Sequence, residues 1–516
     1  MSCKDYIINI DCGSSSFRSI VFDVKTGKKV NVSQEQWYRE SGEKQYFDTE
    51  KNWKLICKCI RDSIRNIDKN RIIGITATSF RHGFVCINKQ GKVIFACTNT
   101  SKSSEEEIRF LNESGLSEKI YKIGGDWPSV HALPVLLWLK KEKSEIYKNI
   151  WKILMISDWI IFKLSGKTFT EPANASSTLL FDVKNGNWSE EIIEEVGLTR
   201  SILPECVDGG TVIGNITPEV SDYTGLNKNT PVLVGLADTQ AGLIGIGAIE
   251  DGKSSIIAGT FWLCNQLRNE HLIDKTEKIR TQNHCLKNIW MYETCIFLPG
   301  ASVRWFKDSF CKIENFLEKE FGYNAYDLLN MKAKRVPVGS NGIQVTLSDV
   351  TNVKSWKHAS PSFLNWDILV SGNSGPEVFY RAILENIAYV SYGDFLNIND
   401  VCRNKSERVY FSGGGSYSIL WAKILADVLN TEIVLMTENE CTSLGAFIMA
   451  SYGLQVYKNI EDAVSDYTSE RMIIKPNREN NLIYMDLYKK WREIYKNSLE
   501  VADRNLTKHM WKAAGI

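Results

Sequence analysis

Twice in this chain an apolar, strand-like run ends in a turn of small polar residues and returns as a second strand. The first copy runs through residues 6–10 to Asp11, turns at Cys12-Gly13-Ser14-Ser15-Ser16 and returns over 18–22. The second runs through 254–260, turns at Gly259-Thr260 and returns over 261–267. Each reads as a β-hairpin with a polar tip, and each is followed by further strands and helices. A chain built this way is constrained to an α/β fold in two related halves. At 516 residues it also exceeds what one ordinary core holds. The halves are expected to join near residue 245, as domains 1–247 and 248–516. No low-complexity linker lies between them, so they are expected to pack and hinge around a central cleft.

Spacing fills in the rest. Trp53, Ile56, Cys57, Ile60, Ile64 and Ile67 fall on one helical face over 48–67, with Asp48 or Thr49 as cap. Segments 72–77 and 84–87 read as strands around Ser79-Phe80-Arg81-His82-Gly83. Segments 133–140 and 152–164 read as helical, with Pro134 tolerated in a first turn. In the second half 377–398 reads as a long helix, with Pro376 near its start. Strand 408–411 leads through Ser412-Gly413-Gly414-Gly415-Ser416 into a helix over Ile419–Leu429. Strand 433–436 and helix 443–451 follow.

Composition narrows the class. A net charge of +1 gives no global attraction to nucleic acid or an anionic membrane. The thirteen cysteines are scattered without a Cys-x-x-Cys pair, so a reducing cytoplasm fits better than a disulfide framework or a zinc site. No signal peptide is visible before the first strand, and the apolar stretch 151–162 is too short to span a bilayer.

Several groups carry candidate chemistry. The first hairpin tip offers backbone N–H groups, hydroxyls and the Arg18 guanidinium, a set suited to phosphate oxygens; taken alone, an ordinary Gly-Ser turn is the plainer reading. Asp11 is a candidate Mg²⁺ ligand acting through water. Gly413 to Ser416 lies between a strand and a helix, where a nucleotide can meet free N–H groups, but no Lys-Ser or Lys-Thr follows, so it is not a P-loop. Asp238, in Leu236-Ala237-Asp238-Thr239-Gln240, reads as a catalytic base or as a helix cap, with equal weight. Arg81 and His82 are candidate ligands for a polyol, and a lone buried histidine between strands is the plainer reading of His82. His131 says less still.

These pieces occur in one order: Asp-x-Gly-Ser-Ser-Ser-x-Arg, Arg-His-Gly, Asp238, Gly259-Thr260, Gly300-Ala301-Ser302-Val303-Arg304-Trp305, Ser-Gly-Gly-Gly-Ser. The order resembles the FGGY family of carbohydrate kinases across almost the whole chain. That resemblance implies two ribonuclease-H-like domains of the actin/hexokinase type around a cleft. It implies a kinase using ATP and Mg²⁺ on a small-molecule acceptor, with a homodimer allowed. Asp238 would be the base. Asp11, Gly13, Ser14, Ser15, Arg18, Gly259, Thr260, Gly300, Arg304, Gly414 and Ser418 would bind the nucleotide, and Asp11 the metal. Arg81, His82 and Thr239 would face the acceptor.

Segments 155–159, 259–262 and 304–311, with 355–363 (SWKHASPSF) and 510–516 (MWKAAGI), resemble one branch of that family. Its acceptor is the terminal C5 hydroxyl of autoinducer-2, as linear hydrated 4,5-dihydroxy-2,3-pentanedione. Kinases for xylulose- or glycerol-type acceptors are the alternative, and a non-catalytic sugar- or nucleotide-binding regulator a further one. Departures from the family pattern are Ser14 for Thr, Ser101 and Ser103 for a charged pair, and Leu236 and Ala237 for glycines. The Trp127 region and the Ser101 to Ser103 stretch are where a change of acceptor is expected to register.

Overall fold

The computed structural model describes residues 5–13, 16–38, 47–99, 104–370, 372–438 and 440–516. Two seven-stranded sheets form its frame. The first uses β1 (Tyr6–Cys12), β2 (Ser16–Asp23), β3 (Lys29–Gln36), β4 (Ile72–Ser79), β5 (Val212–Asn215), β6 (Pro231–Leu233) and β7 (Leu236–Ala237). Its order is β5-β6-β4-β1-β2-β3, with β7 also on β4. The second uses β8 (Ser254–Ala258), β9 (Trp262–Arg268), β10 (Arg280–Asn283), β11 (Trp290–Ile296), β12 (Arg408–Gly413), β13 (Glu432–Met436) and β14 (Glu470–Ile474). Its order is β10-β11-β9-β8-β12-β13-β14.

The repetition extends to strand direction. From β3 the first sheet runs antiparallel to β2 and β1, then parallel to β4 and β6, with β5 antiparallel at the edge. From β11 the second runs antiparallel to β9 and β8, then parallel to β12 and β13, with β14 antiparallel at the edge. Both expected hairpins are therefore the first two strands of equivalent sheets. The parallel β1–β4 and β8–β12 pairs need crossovers. Helix α1 (Thr49–Ser63) lies in the first crossover, with Asp48 accepting from the Lys51 N–H as its cap. The central strands are buried on both sides, as near-continuous apolar runs require.

Four helices matter for the cleft besides the crossover helix Pro376–Cys402. They are α2 (Asp238–Gly245), α3 (Pro299–Phe310), α4 (Ile419–Leu429) and α5 (Cys441–Gly453). Helix α2 follows β6 and β7, and α5 follows the equivalent strand β13. The two cross in direct backbone contact: a Cβ on Gly245 would sit 1.9 Å from the Cys441 carbonyl oxygen, and one on Gly445 1.7 Å from that of Ala241. Only glycine permits that approach, which fastens the two halves together behind the cleft.

One sequence expectation is corrected. Segment 152–164 is not helical throughout: Lys152–Met155 is a strand paired antiparallel with Phe84–Ile87, and the helix begins at Ile156. A short apolar run carries no period that separates strand from helix, and the neighbouring strand edge decides it. Among the described residues no helix is long and apolar enough to cross a membrane, and the cysteines are free thiols.

Candidate active site

Asp238 opens α2 where β7 leaves the first sheet. The cap position belongs to Ala237, so Asp238 is the first helical residue and not the capping residue. Its Oδ1 accepts from the Thr239 N–H at 2.7 Å and the Thr239 hydroxyl at 3.2 Å. Among the described residues Oδ2 has no hydrogen-bond partner. Burial pushes the carboxyl up to about 6; Arg81 and the Thr239 donors oppose the rise, and the negative charge of Asp11 adds to it. The backbone of Asp238 is pinned from the other half, because the Thr442 hydroxyl donates to its carbonyl at 3.2 Å.

The first hairpin places Asp11 directly opposite Arg18. Asp11 Oδ1 accepts from the Thr78 hydroxyl at 3.0 Å, and Oδ2 accepts from Arg18. The other Arg18 nitrogen reaches across the cleft to Glu440 at 2.8 Å, and Lys29 joins Glu438 and Glu440 beside it. A cavity of about 160 Å³ lies behind Arg18, lined by Gly242, Ser412, Gly413, Thr442 and Ser443 among others. Ser443 Oγ is buried without a partner. A guanidinium, an unpaired hydroxyl and a turn held open by Gly413 at φ 82° suit a phosphate. Gly13 closes the described part of the tip, its N–H bonding to Ser16 O. Ser14, Ser15, Ser101 and Ser103 lie outside the described residues.

The second hairpin presents Gly259 and Thr260 at an exposed tip. Gly300, in the first turn of α3, lies against that tip: a Cβ there would be 2.4 Å from the Gly259 carbonyl oxygen. Arg304 stands exposed one turn along α3, and Gly414 is exposed after β12. Ser418 differs from these. Its hydroxyl caps α4 through the Trp421 N–H and donates to Asn330 at 2.9 Å, so it shapes the glycine loop from behind.

Arg81 and His82 follow β4 on the other side of Asp238. Arg81 is buried, bonding through Nη2 to both Glu293 oxygens at 2.8 Å and through Nη1 to Gln282. His82 takes a left-handed backbone (φ 70°), and its Nδ1 lies 3.3 Å from Ser177 O. Burial, with His131, Arg81 and Arg280 nearby, holds its pKa well below the usual histidine value, so the ring is neutral. Thr239 is buried and committed to Asp238.

The sequence reading missed the partners of these groups. Arg280 forms an ion pair with Asp126 at 2.9 Å and donates to Glu293 at 3.3 Å, Asp126 pairs with His131 at 3.0 Å, and the His131 ring meets His82 edge-on at 4.6 Å. Burial opposes the charge of Asp126, but Arg280 and His131 outweigh it and hold the pKa below the usual carboxylate range. This network joins β4 and the segment around 126–131 to β10 and β11 of the second half. Charged Arg280 and Glu293 inside otherwise strand-like runs were the available signal, since such residues are seldom buried unless paired.

The residues fit Mg²⁺ in the manner of a hydrated ion. Among the described residues no cluster of three or more His, Cys, Asp or Glu forms a protein cage. Magnesium keeps most of its waters and needs only one or two carboxylates. Asp11, with Asp238 near enough to feel its charge, would supply these.

Paired hairpins, a phosphate-suited cavity and a carboxylate between them define the class of a phosphotransferase. Residues 6–245 match the N-terminal domain of the FGGY family of carbohydrate kinases, and residues 255–454 match its C-terminal domain. The autoinducer-2 kinase of Yersinia enterocolitica is 33% identical over 99% of this chain and 98% of its own length. That of Escherichia coli is 32% identical over the same shares. Among solved structures, ligand-bound xylulose kinase from Lactobacillus acidophilus superposes with a TM-score of 0.86 at 20% identity, covering 98% of this chain and 100% of that one. Plasmodium falciparum glycerol kinase with ADP gives 0.83 at 19%, covering 95% and 98%. The chain belongs to the FGGY family of carbohydrate kinases and is a phosphotransferase with an alcohol group as acceptor. Its two sheets are the duplicated ribonuclease-H-like fold of the actin/hexokinase type.

Proposed function

We propose that this chain is an ATP-dependent kinase for the terminal C5 hydroxyl of autoinducer-2 in its linear, hydrated form. One observation carries the chemistry: among the described residues Asp238 presents a carboxylate oxygen without a protein partner, under the charges of Arg81 and Asp11 and tied through its carbonyl to Thr442 of the phosphate-suited cavity. Asp238 Oδ2 takes the proton of the attacking hydroxyl. Arg18 turns from Glu440 to phosphate oxygens, joined by Ser443 and by Thr260 at the exposed second tip. Mg²⁺ held through water at Asp11 would supply further neutralisation of phosphate charge. Arg81 and His82 fix the acceptor: with Nδ1–H donating to the Ser177 carbonyl, neutral His82 offers Nε2 as an acceptor toward it. Phosphoryl transfer needs this positioning and charge neutralisation more than covalent help. The working halves are 1–247 and 248–516, and their closure excludes water as a competing acceptor.

The names of the relatives, and the two segments 355–363 and 510–516 that lie outside the shared kinase motifs, support the choice of acceptor. An acceptor panel with ATP, scored by phosphorus NMR, tests it. Phosphorylation at C5 of 4,5-dihydroxy-2,3-pentanedione in preference to xylulose and glycerol is the expected result, and preference for xylulose rejects it.

The base also predicts a pH profile. Asp238 works ionised, and its carboxyl titrates near 6. The kcat/KM for the acceptor is therefore expected to be level above that pH and to fall about tenfold per unit below it. A profile flat down to pH 5 removes the raised pKa from the working enzyme, and one flat through the ordinary carboxylate range as well removes Asp238 as base.

A further inference from the structure

Segments 355–363 and 510–516 stand apart from the catalytic motifs in sequence, yet the structure joins them. Lys357–His358 pairs antiparallel with Trp511–Lys512, and the Met510 and Ala513 N–H groups bond to the carbonyls of His358 and Trp356. Trp511 packs edge-on to Trp356 at 4.9 Å and against Phe297 at 4.9 Å. Phe297 in turn meets Phe261 at the second hairpin tip at 5.5 Å.

Both ends of this pairing lead to one carboxylate. On one side Trp356 covers the Arg280 guanidinium at 5.2 Å, and Arg280 forms an ion pair with Asp126. On the other, Gly515 reaches the first half, where its carbonyl lies 3.5 Å from Asn112 Nδ2. Asn112 Oδ1 accepts from Trp127 Nε1 at 3.1 Å, and the Trp127 N–H bonds Asp126 at 2.7 Å. The Arg280–Asp126–His131–His82 chain is thus gripped from both flanks. The grip also holds two N–H groups without acceptors. Trp356 Nε1 is buried and unpaired. His358 accepts the Asp349 N–H through Nδ1, which leaves its proton on Nε2, also buried and unpaired.

We propose that residues 356–358 and 511–515 form a clasp that sets acceptor choice, by holding Trp356 and Trp127 against the Arg280–Asp126 pair across the cleft. Trp511 and Asn112 are positioning residues in this scheme. The proposal rests on the reading that the Arg81–His82 side takes the acceptor. It predicts that the clasp acts on the acceptor and not on ATP, and that it separates acceptors from one another.

The test is steady-state kinetics of the full chain on the acceptor panel, read on whichever acceptor the unaltered enzyme prefers. A failure of the autoinducer-2 reading therefore counts neither for nor against the clasp. Trp511→Ala is expected to raise the acceptor KM about tenfold or more and to narrow the preference between the best and second-best acceptors. The KM for ATP should stay within about twofold, and Trp511→Phe should restore most of the loss. Asn112→Ala, which removes the contacts to Gly515 and Trp127 and leaves Trp511, Trp356 and Phe297 in place, should reproduce the effect and decides the matter should Trp511→Ala not fold. Unchanged acceptor KM and ranking in a folded variant, or parallel rises in both KM values, overturns the proposal.

Discussion

Asp238→Asn protein is expected to bind ATP as tightly as the parent chain and to transfer phosphate at least about 10²-fold more slowly, the usual contribution of a positioned general base. The geometry makes this substitution clean. Asparagine keeps an Oδ1 that can accept from the Thr239 N–H and hydroxyl, so the start of α2 stays in place. It converts the partnerless Oδ2 into an amide nitrogen that cannot take a proton. The phosphate-suited groups Arg18, Gly413 and Ser443 are contributed by other elements and are left untouched. Stability separates this outcome from misfolding. A carboxyl whose folded pKa is raised weakens the fold as pH rises from its unfolded value through about 6, so at pH 7 ionised Asp238 is a cost. Asparagine removes that cost, and the variant should melt at or above the parent temperature at pH 7. Calorimetric titration with a non-hydrolysable ATP analogue, a thermal melt and an NMR turnover assay check all three. Near-normal turnover would remove Asp238 from the mechanism.

Legibility in the sequence followed range. The hairpins were readable because a strand, a small-residue turn and a second strand are adjacent in the chain, and β1–β2 and β8–β9 pair as that pattern implies. Helix Ile419–Leu429 was placed to the residue, because a glycine turn and an N-cap serine mark its start. Asp238 stood out because an acidic residue follows an apolar strand there. What stayed hidden was built from distant parts. Asp126 and Arg280 meet only after both sheets form, and Gln282 and Glu293 reach Arg81 from the opposite half. Taken singly, His131 and His82 read as core histidines, and only their contact with each other and with Asp126 gives them a place in the site. Segments 355–363 and 510–516 were visible as marks of one branch of the family, but their pairing was not, because two-residue strands carry no period. The pKa of Asp238 was equally unreadable, because the burial that raises it is built from distant segments.

Gly445→Val is expected to lower kcat by about 10²-fold with the catalytic side chains all present, the scale of loss that follows a shift of about 1 Å in a reacting group. Gly445 looks in sequence like any small residue in an apolar helix. In the structure its α-carbon lies against the backbone of α2, and even a Cβ would stand 1.7 Å from the Ala241 carbonyl oxygen. That neighbour is main chain inside a helix and has no rotamer to yield, so α2 and α5 must separate. Asp238 begins α2, and the Thr442 hydroxyl that holds its carbonyl begins α5, so separation moves the base relative to the cavity wall formed by Thr442 and Ser443. Overpacking a core by a few carbons commonly costs about 1–3 kcal/mol, and the melting temperature should fall accordingly. Gly242→Ala is the matched control for stability. It lies on α2, the helix that faces Gly445, but its Cβ would meet nothing closer than the Thr442 hydroxyl at 3.5 Å. Glycine-to-alanine inside a helix is intrinsically favourable, so this protein should melt no lower than the parent. Should Gly445→Val retain full kcat, the α2–α5 crossing is a fastening alone. A fall in kcat with ATP binding preserved assigns it the further task of aligning a base carried by one half with a phosphate site shared by both.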